Sequence, residues 1–166
     1  MLKHVLVPLD GSALAEAALE YAQEIVDPEG QITLVTAVEL DDLPAYGPSM
    51  MPLVRTSIPD YQDAVDNLMP QANAYLQRVA DRLQMRGREV TYEVRIGHPA
   101  EVIVDVAREQ NVDAIVISTH GRSGLGRWLF GSVTTKVLEL ARRPVFVVPS
   151  ACVRVENLPA QAVEKR

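Results

Sequence analysis

The sequence predicts an α/β domain: an open parallel sheet covered by helices on both faces. Three observations predict it. Five short β-branched runs alternate with segments of helical period. The first and fourth runs are almost wholly apolar, as central strands buried on both sides should be. Glycines and prolines gather mainly between the two kinds of segment.

Val5-Leu6-Val7 carries the first strand, and Gly11-Ser12 opens a helix whose apolar face is Leu14, Ala17, Ala18, Tyr21, Ala22 and Ile25. Ile32 to Val38 is the second strand. The stretch from Glu39 to Pro59, with Pro44, Gly47, Pro48 and Pro52 inside it, is a long flexible connection, either a functional lid or a solvated insertion. Leu68, Ala72, Tyr75, Leu76, Val79 and Leu83 mark the second helix. Pro70 predicts that this helix starts or kinks at Met69-Pro70, because its ring cannot donate to the preceding turn. The third strand spans Val90 to Val94. The third helix has Pro99 at its first position and turns Val102, Ile103, Val106 and Ala107 inward. Ala114 to Ile117 is the fourth strand. A fourth helix follows, capped by Ser132, with Val133, Val137, Leu138 and Ala141 on one face and Arg142 and Arg143 at its negative pole. Val145 to Val148 is the fifth strand. Beyond Pro149 the periodicity is lost, so residues 1–150 read as one domain and 151–166 as a frayed tail.

A chain of 166 residues, 48% hydrophobic and 23% charged, can bury one core and needs no second. Its net charge of -6 opposes the non-specific phosphate attraction behind most nucleic-acid binding. A small phosphorylated ligand remains open, since backbone dipoles can hold it. Cys152 is alone and forms neither an internal disulfide nor a zinc site. The apolar start is too short for a signal peptide, and no stretch approaches the ~18 apolar residues of a membrane span. These features predict a cytoplasmic protein. His4, His98 and His120 match no metal-binding spacing.

In an open parallel sheet a ligand lies beyond the carboxyl ends of the strands, where strand order reverses. Two loops matter there: Pro8-Leu9-Asp10-Gly11-Ser12 after the first strand, and Ser118 to Ser132 after the fourth. The second holds Gly121, Gly124, Gly126 and Gly131 between a buried strand and a helix. Glycine lets amides approach a ligand, and a helix start carries unpaired N–H groups and a partial positive charge. The pattern suits an anion, phosphate above all. It also suits a plain connecting turn, and it matches neither G-x-G-x-x-G nor a P-loop. Asp10 reads either as an acceptor for ligand hydroxyls or as a cap for the first helix. Arg122 reads as a phosphate clamp or a solvated loop cation, and His120 as a ligand contact or a loop-orienting residue.

Val5-Leu6-Val7-Pro8-Leu9-Asp10-Gly11-Ser12, Gly97-His98-Pro99-Ala100-Glu101-Val102-Ile103, Ser118-Thr119-His120-Gly121-Arg122-Ser123-Gly124 through Gly131-Ser132-Val133, and Arg143-Pro144-Val145 resemble the universal stress proteins. The resemblance runs from about Lys3 to Pro149 and omits the long connection and the tail. It implies a Rossmann-like, five-stranded parallel sheet in order 3-2-1-4-5. ATP-binding members carry G-x-x-G, nine residues, then G-[ST]; here Gly121, the nine residues Arg122 to Phe130, and Gly131-Ser132 match, while Ser118 replaces the leading glycine. The resemblance further implies that Pro8, Leu9 and Asp10 border the adenosine and Val38 walls the adenine. Ser118, His120 and Gly121 would line the ribose and first phosphates, and Gly131, Ser132, Val133 and Thr134 would present donors to the phosphate tail.

The function expected is an ATP-binding, stress-response regulator with little or no hydrolysis, since the glycine loop holds no Asp or Glu to act as base or metal ligand. No residue is assigned a catalytic or metal-ligating role. Magnesium or manganese would travel with the phosphates, Ser132 and water. An adenylating enzyme wants a richer glycine-serine loop after the first strand, and a phospho-acceptor domain wants further acids beside Asp10 and a lysine after the fifth strand; neither is present. The alternative is a nucleotide-free dimeric scaffold. In strand order 3-2-1-4-5 the apolar Val145, Phe146, Val147 and Val148 occupy a sheet edge, which predicts a homodimer by edge pairing unless the tail covers it.

Overall fold

In the computed structural model, residues 1–39, 59–119 and 130–149 are described. Their elements are β1 (Leu2–Pro8), α1 (Ala13–Ile25), β2 (Val26–Val38), α2 (Pro59–Gln84), β3 (Glu89–Ile96), α3 (Pro99–Glu109), β4 (Ala114–Thr119), α4 (Ser132–Leu140) and β5 (Val145–Pro149). The five strands form one sheet in the order β3-β2-β1-β4-β5, and every neighbouring pair is parallel. Most of the connection from Glu39 to Pro59, the tail, and His120, Gly121 and Arg122 lie outside the described residues.

Alternation along β1 explains the layers. Val5, Leu6 and Val7 are all fully buried, and their side chains point alternately to the two faces. Val5 and Val7 join the core under α1 and α2, with Leu34, Leu76 and Val116. Leu6 joins the core under α3 and α4, with Val35, Val106, Ile115 and Val137.

Four local expectations are corrected. β2 begins at Val26 rather than Ile32. It runs from Val26 to Gln31 while β1 advances only from Leu2 to His4, an irregularity in pairing that disguises the strand start as a Pro28-Gly30 turn. Gly30 is required there, because a Cβ would lie 2.8 Å from both the Lys3 carbonyl oxygen and Val26 Cγ2. Secondly, α2 is helical on both sides of Pro70, which overturns a start at Met69-Pro70 and leaves a kink as the reading. The ring deletes one amide bond, while the face downstream of it, Leu76, Val79 and Leu83, is buried and anchors the helix. Thirdly, the N-cap of α4 is Gly131, and Ser132 is its first helical residue. Fourthly, α4 ends at Leu140 and neither Arg142 nor Arg143 sits in its last turn; the Arg143 guanidinium donates to Asn111 Oδ1 in the turn after α3.

A polar chain crosses the α3 side of the sheet. Thr33 Oγ1 donates to Gln110 Oε1 (2.9 Å), and lies 2.8 Å from His4 Nε2 and 2.9 Å from Thr91 Oγ1. Thr33 has one proton, and Gln110 Oε1 can only accept it. His4 Nε2 and the Thr91 hydroxyl therefore donate to Thr33. Burial lowers the His4 pKa, against a smaller opposing pull from Asp113.

Candidate functional site

The helices after β1 and β4 leave on opposite faces, and a cleft opens between the carboxyl ends of these adjacent strands. It contains a cavity of about 410 Å³, lined among others by Pro8, Leu9, Asp10, Ser118, Gly131, Ser132, Val133 and Thr134. The structure thus brings together eight of the residues singled out in the sequence.

The loop after β1 is held by its own hydrogen bonds. The Leu9 amide donates to the Val35 carbonyl (2.8 Å), and Thr36 Oγ1 donates to the Leu9 carbonyl (2.8 Å). Gly11 adopts φ +83°, a left-handed value that favours glycine. The turn lets Asp10 Oδ1 accept from the Ser12 amide (2.9 Å), while Ser12 Oγ accepts from the Ala15 amide (3.0 Å) and caps α1. Both readings of Asp10 are therefore compatible: one oxygen serves the turn, and Oδ2 makes no hydrogen bond among the described residues.

At the other wall α4 begins without a side-chain cap. Its first helical bond runs from the Thr135 amide to the Gly131 carbonyl (2.9 Å). The amides of Ser132, Val133 and Thr134 precede that bond and have no helical acceptor. The helix dipole places about half a positive charge at the same point. Thr119 Oγ1 accepts from the Gly131 amide (3.1 Å), and Thr134 Oγ1 donates to the Ser118 carbonyl (3.4 Å), so the helix start is pinned to the end of β4. Gly131 has φ -59°, which any residue can adopt, and a Cβ there would meet nothing within 4 Å. Nothing in the described packing demands glycine at this position.

Val38 is the exception among the described candidates. It is buried but does not line the cavity; Val35, Ala37 and Glu39 do. Side chains alternate along a strand, so the Val38 side chain lies on the other face of β2 from those of Val35, Ala37 and Glu39. Pro99 and Ile103 of α3 and Ile117 of β4 complete the apolar part. Glu39, at the mouth, has Oε1 3.1 Å from His98 Nδ1. Sequence reasoning missed Ala37, Glu39, Pro99, Ile103, Ile117 and Thr119 as site residues. Pro99, Ile103 and Thr119 lay inside the blocks that carry the resemblance, while Ala37, Glu39 and Ile117 carried no signal of their own.

Among the described residues no three His, Cys, Asp or Glu side chains converge as metal ligands, and no helix is long and apolar enough to cross a membrane. A second cavity, about 470 Å³, lies at the opposite end of the sheet near Arg108, Arg142 and Arg143. The C-terminal ends of α3 and α4 line it; Arg108 pairs with Asp105, and Arg143 donates to Asn111 Oδ1. Of these two cavities, the first joins an apolar slot to an uncapped helix start.

Comparison with known proteins agrees with this geometry. Universal stress protein MJ0577 of Methanocaldococcus jannaschii is 27% identical over 155 residues, covering 89% of this chain and 95% of its own. The solved structure of MJ0577 superposes with a TM-score of 0.70 at 25% identity, covering 89% of this chain and 95% of that one. A universal stress family protein from Arabidopsis thaliana, solved with AMP bound, shares the fold at 17% identity and a TM-score of 0.55, covering 95% of this chain and 96% of that one. The model of the universal stress protein family matches residues 1–149. Sheet order, switch-point cavity and family match converge, and the chain belongs to the universal stress protein family.

Proposed function

We propose that this chain is a cytoplasmic regulatory protein of the stress response that binds ATP at the switch point and turns it over slowly or not at all. The uncapped start of α4 carries the reading, with the amides of Ser132, Val133 and Thr134 opening on the cavity. A phosphate supplies the acceptors that these amides lack among the described residues. The apolar slot of Val35, Ala37, Pro99, Ile103 and Ile117 suits a flat base, and the unused Asp10 Oδ2 suits ribose hydroxyls between base and phosphates. His120, Gly121 and Arg122 belong to this reading by their place in the loop sequence. Ser118 offers a hydroxyl where the motif has glycine. A magnesium or manganese ion would be carried by the phosphates, with the Ser132 hydroxyl and water beside it. The AMP-bound Arabidopsis structure has the same fold; the assignment for this chain rests on its own cavity.

The loop's composition supports slow turnover. Hydrolysis requires a group that positions or deprotonates water beside the phosphates. No Asp or Glu lies in the loop or in the first turn of α4. The experiment is to denature purified protein and analyse the supernatant for adenine nucleotides, then incubate ATP with stoichiometric protein. Bound adenine nucleotide and a rate far below the ordinary enzymatic ~1 to 1,000 per second are expected. Multiple turnovers per second would overturn the regulatory assignment.

One observation favours a second reading, a nucleotide-free scaffold that acts through contact. β5 is an edge strand on which Phe146 is 44% exposed. An edge of this kind also makes a homodimer part of the main proposal, through Val145, Phe146, Val147 and Val148. Failure of AMP, ADP and ATP to bind, with or without magnesium, would leave the scaffold as the function.

A further inference from the structure

Sheet order orients any nucleotide in this cavity. β2 and β4 lie on either side of β1, each about 4.8 Å from it. Phosphates at the start of α4 lie beside β4, so the base lies at the other side, over β2. There the cavity presents Val35 and Ala37, with Pro99 and Ile103 of α3 facing them. One lining side chain on this β2 side can make a directed hydrogen bond to a base edge: Glu39, which follows the last residue of β2.

The Glu39 carboxylate is held at one end. Oε1 lies 3.1 Å from His98 Nδ1, at the start of α3, and Oε2 has no partner among the described residues. Held in this way, the group presents an acceptor and no donor. An amino group on the base satisfies it; a carbonyl oxygen at the same position meets it as acceptor against acceptor. Adenine and hypoxanthine have nearly the same shape and differ at this edge: adenine bears a 6-amine and a bare N1, hypoxanthine a 6-oxygen and an N1–H, so the selection acts where the carboxylate meets the 6-substituent rather than N1.

We infer that Glu39 determines base specificity at this site, selecting 6-amino over 6-oxo purines, and that His98 is a positioning residue that aims its carboxylate. The inference rests on the nucleotide-binding reading above and adds to it the residue that reads the base.

The test is calorimetric titration of the full chain with ATP and with ITP. The wild type should prefer ATP by about tenfold or more, the scale of one charge-assisted hydrogen bond. In Glu39→Ala the preference should fall to about twofold or less, through weaker ATP binding. Glu39→Gln should also lose the preference, because a carboxamide can donate to the oxygen of ITP as readily as it accepts from an amine. His98→Ala should lower the preference and His98→Asn, which keeps a donor near the same place, should restore it. Each variant is compared with itself on two ligands, so general destabilisation does not imitate the result. An unchanged preference in Glu39→Ala overturns the inference while leaving nucleotide binding intact. A wild type that binds neither ligand overturns the nucleotide-binding reading, and this inference with it.

Discussion

His4 shows how one half-buried residue links the fold to pH. Its ring donates to Thr33, and burial disfavours the charged form. Its folded pKa therefore lies below the ordinary 6.5 of an unfolded imidazole. Above that value both states are neutral and the full stability is present. As pH falls from 6.5 toward the lower folded value, the unfolded chain takes the proton first and stability declines. Urea unfolding across this window should show a decline in the wild type that is smaller in His4→Gln. An equal decline in both would assign the effect to other groups. Tyr75 is a second such point: its hydroxyl donates to Glu16 Oε1 at 3.1 Å, and Arg82 meets Glu16 Oε2 at 2.6 Å, tying α2 to α1. Tyr75→Phe should cost about 1 kcal/mol in denaturant unfolding, and no loss would mean that water replaces the bond fully.

The elements differ in how far the sequence reveals them. β1 and β4 are legible because a strand buried on both faces must be apolar throughout. α3 is legible because Pro99 begins it and its inward residues keep a helical period. The start of β2 is not, because Pro28 and Gly30 read as a turn, and only the pairing with Lys3 and His4 shows why a strand needs glycine there. The cavity wall suffers from the same locality. A run of apolar residues does not declare which phase lines a cavity, so Val38 stands among the candidates and Ala37 does not. Glu39 is invisible as a site residue because its partner, His98, is 59 positions away. The irregular strand start gives a test. Gly30→Ala places a Cβ against backbone and should destabilise by about 1 to 3 kcal/mol; a neutral result would show that β1 can shift away without cost.

At the scale of the molecule, β3 and β5 are the two sheet edges. On β5 the side chains alternate: Val145 and Val147 pack against the core under α3 and α4, while Phe146, on the opposite face, stays exposed. A charge at Val147 would therefore damage the fold as well as any dimer. Phe146→Lys separates the two effects. Light scattering at tens of micromolar should show a dimer for the wild type and a monomer for Phe146→Lys, with equal thermal stability of the isolated subunit. A monomeric wild type would contradict edge pairing.

If the start of α4 holds phosphate, a side chain at Gly131 should exclude it. Glycine is not needed there for φ or for described packing, so a β-branched side chain should leave the fold intact and take up space that the phosphates require. The measurement is calorimetric titration of ATP into the wild type and into Gly131→Val, with circular dichroism of both. Saturable binding in the wild type, and its loss in a variant with an unchanged spectrum, is the predicted result. Equal affinity in the two proteins would contradict the claim.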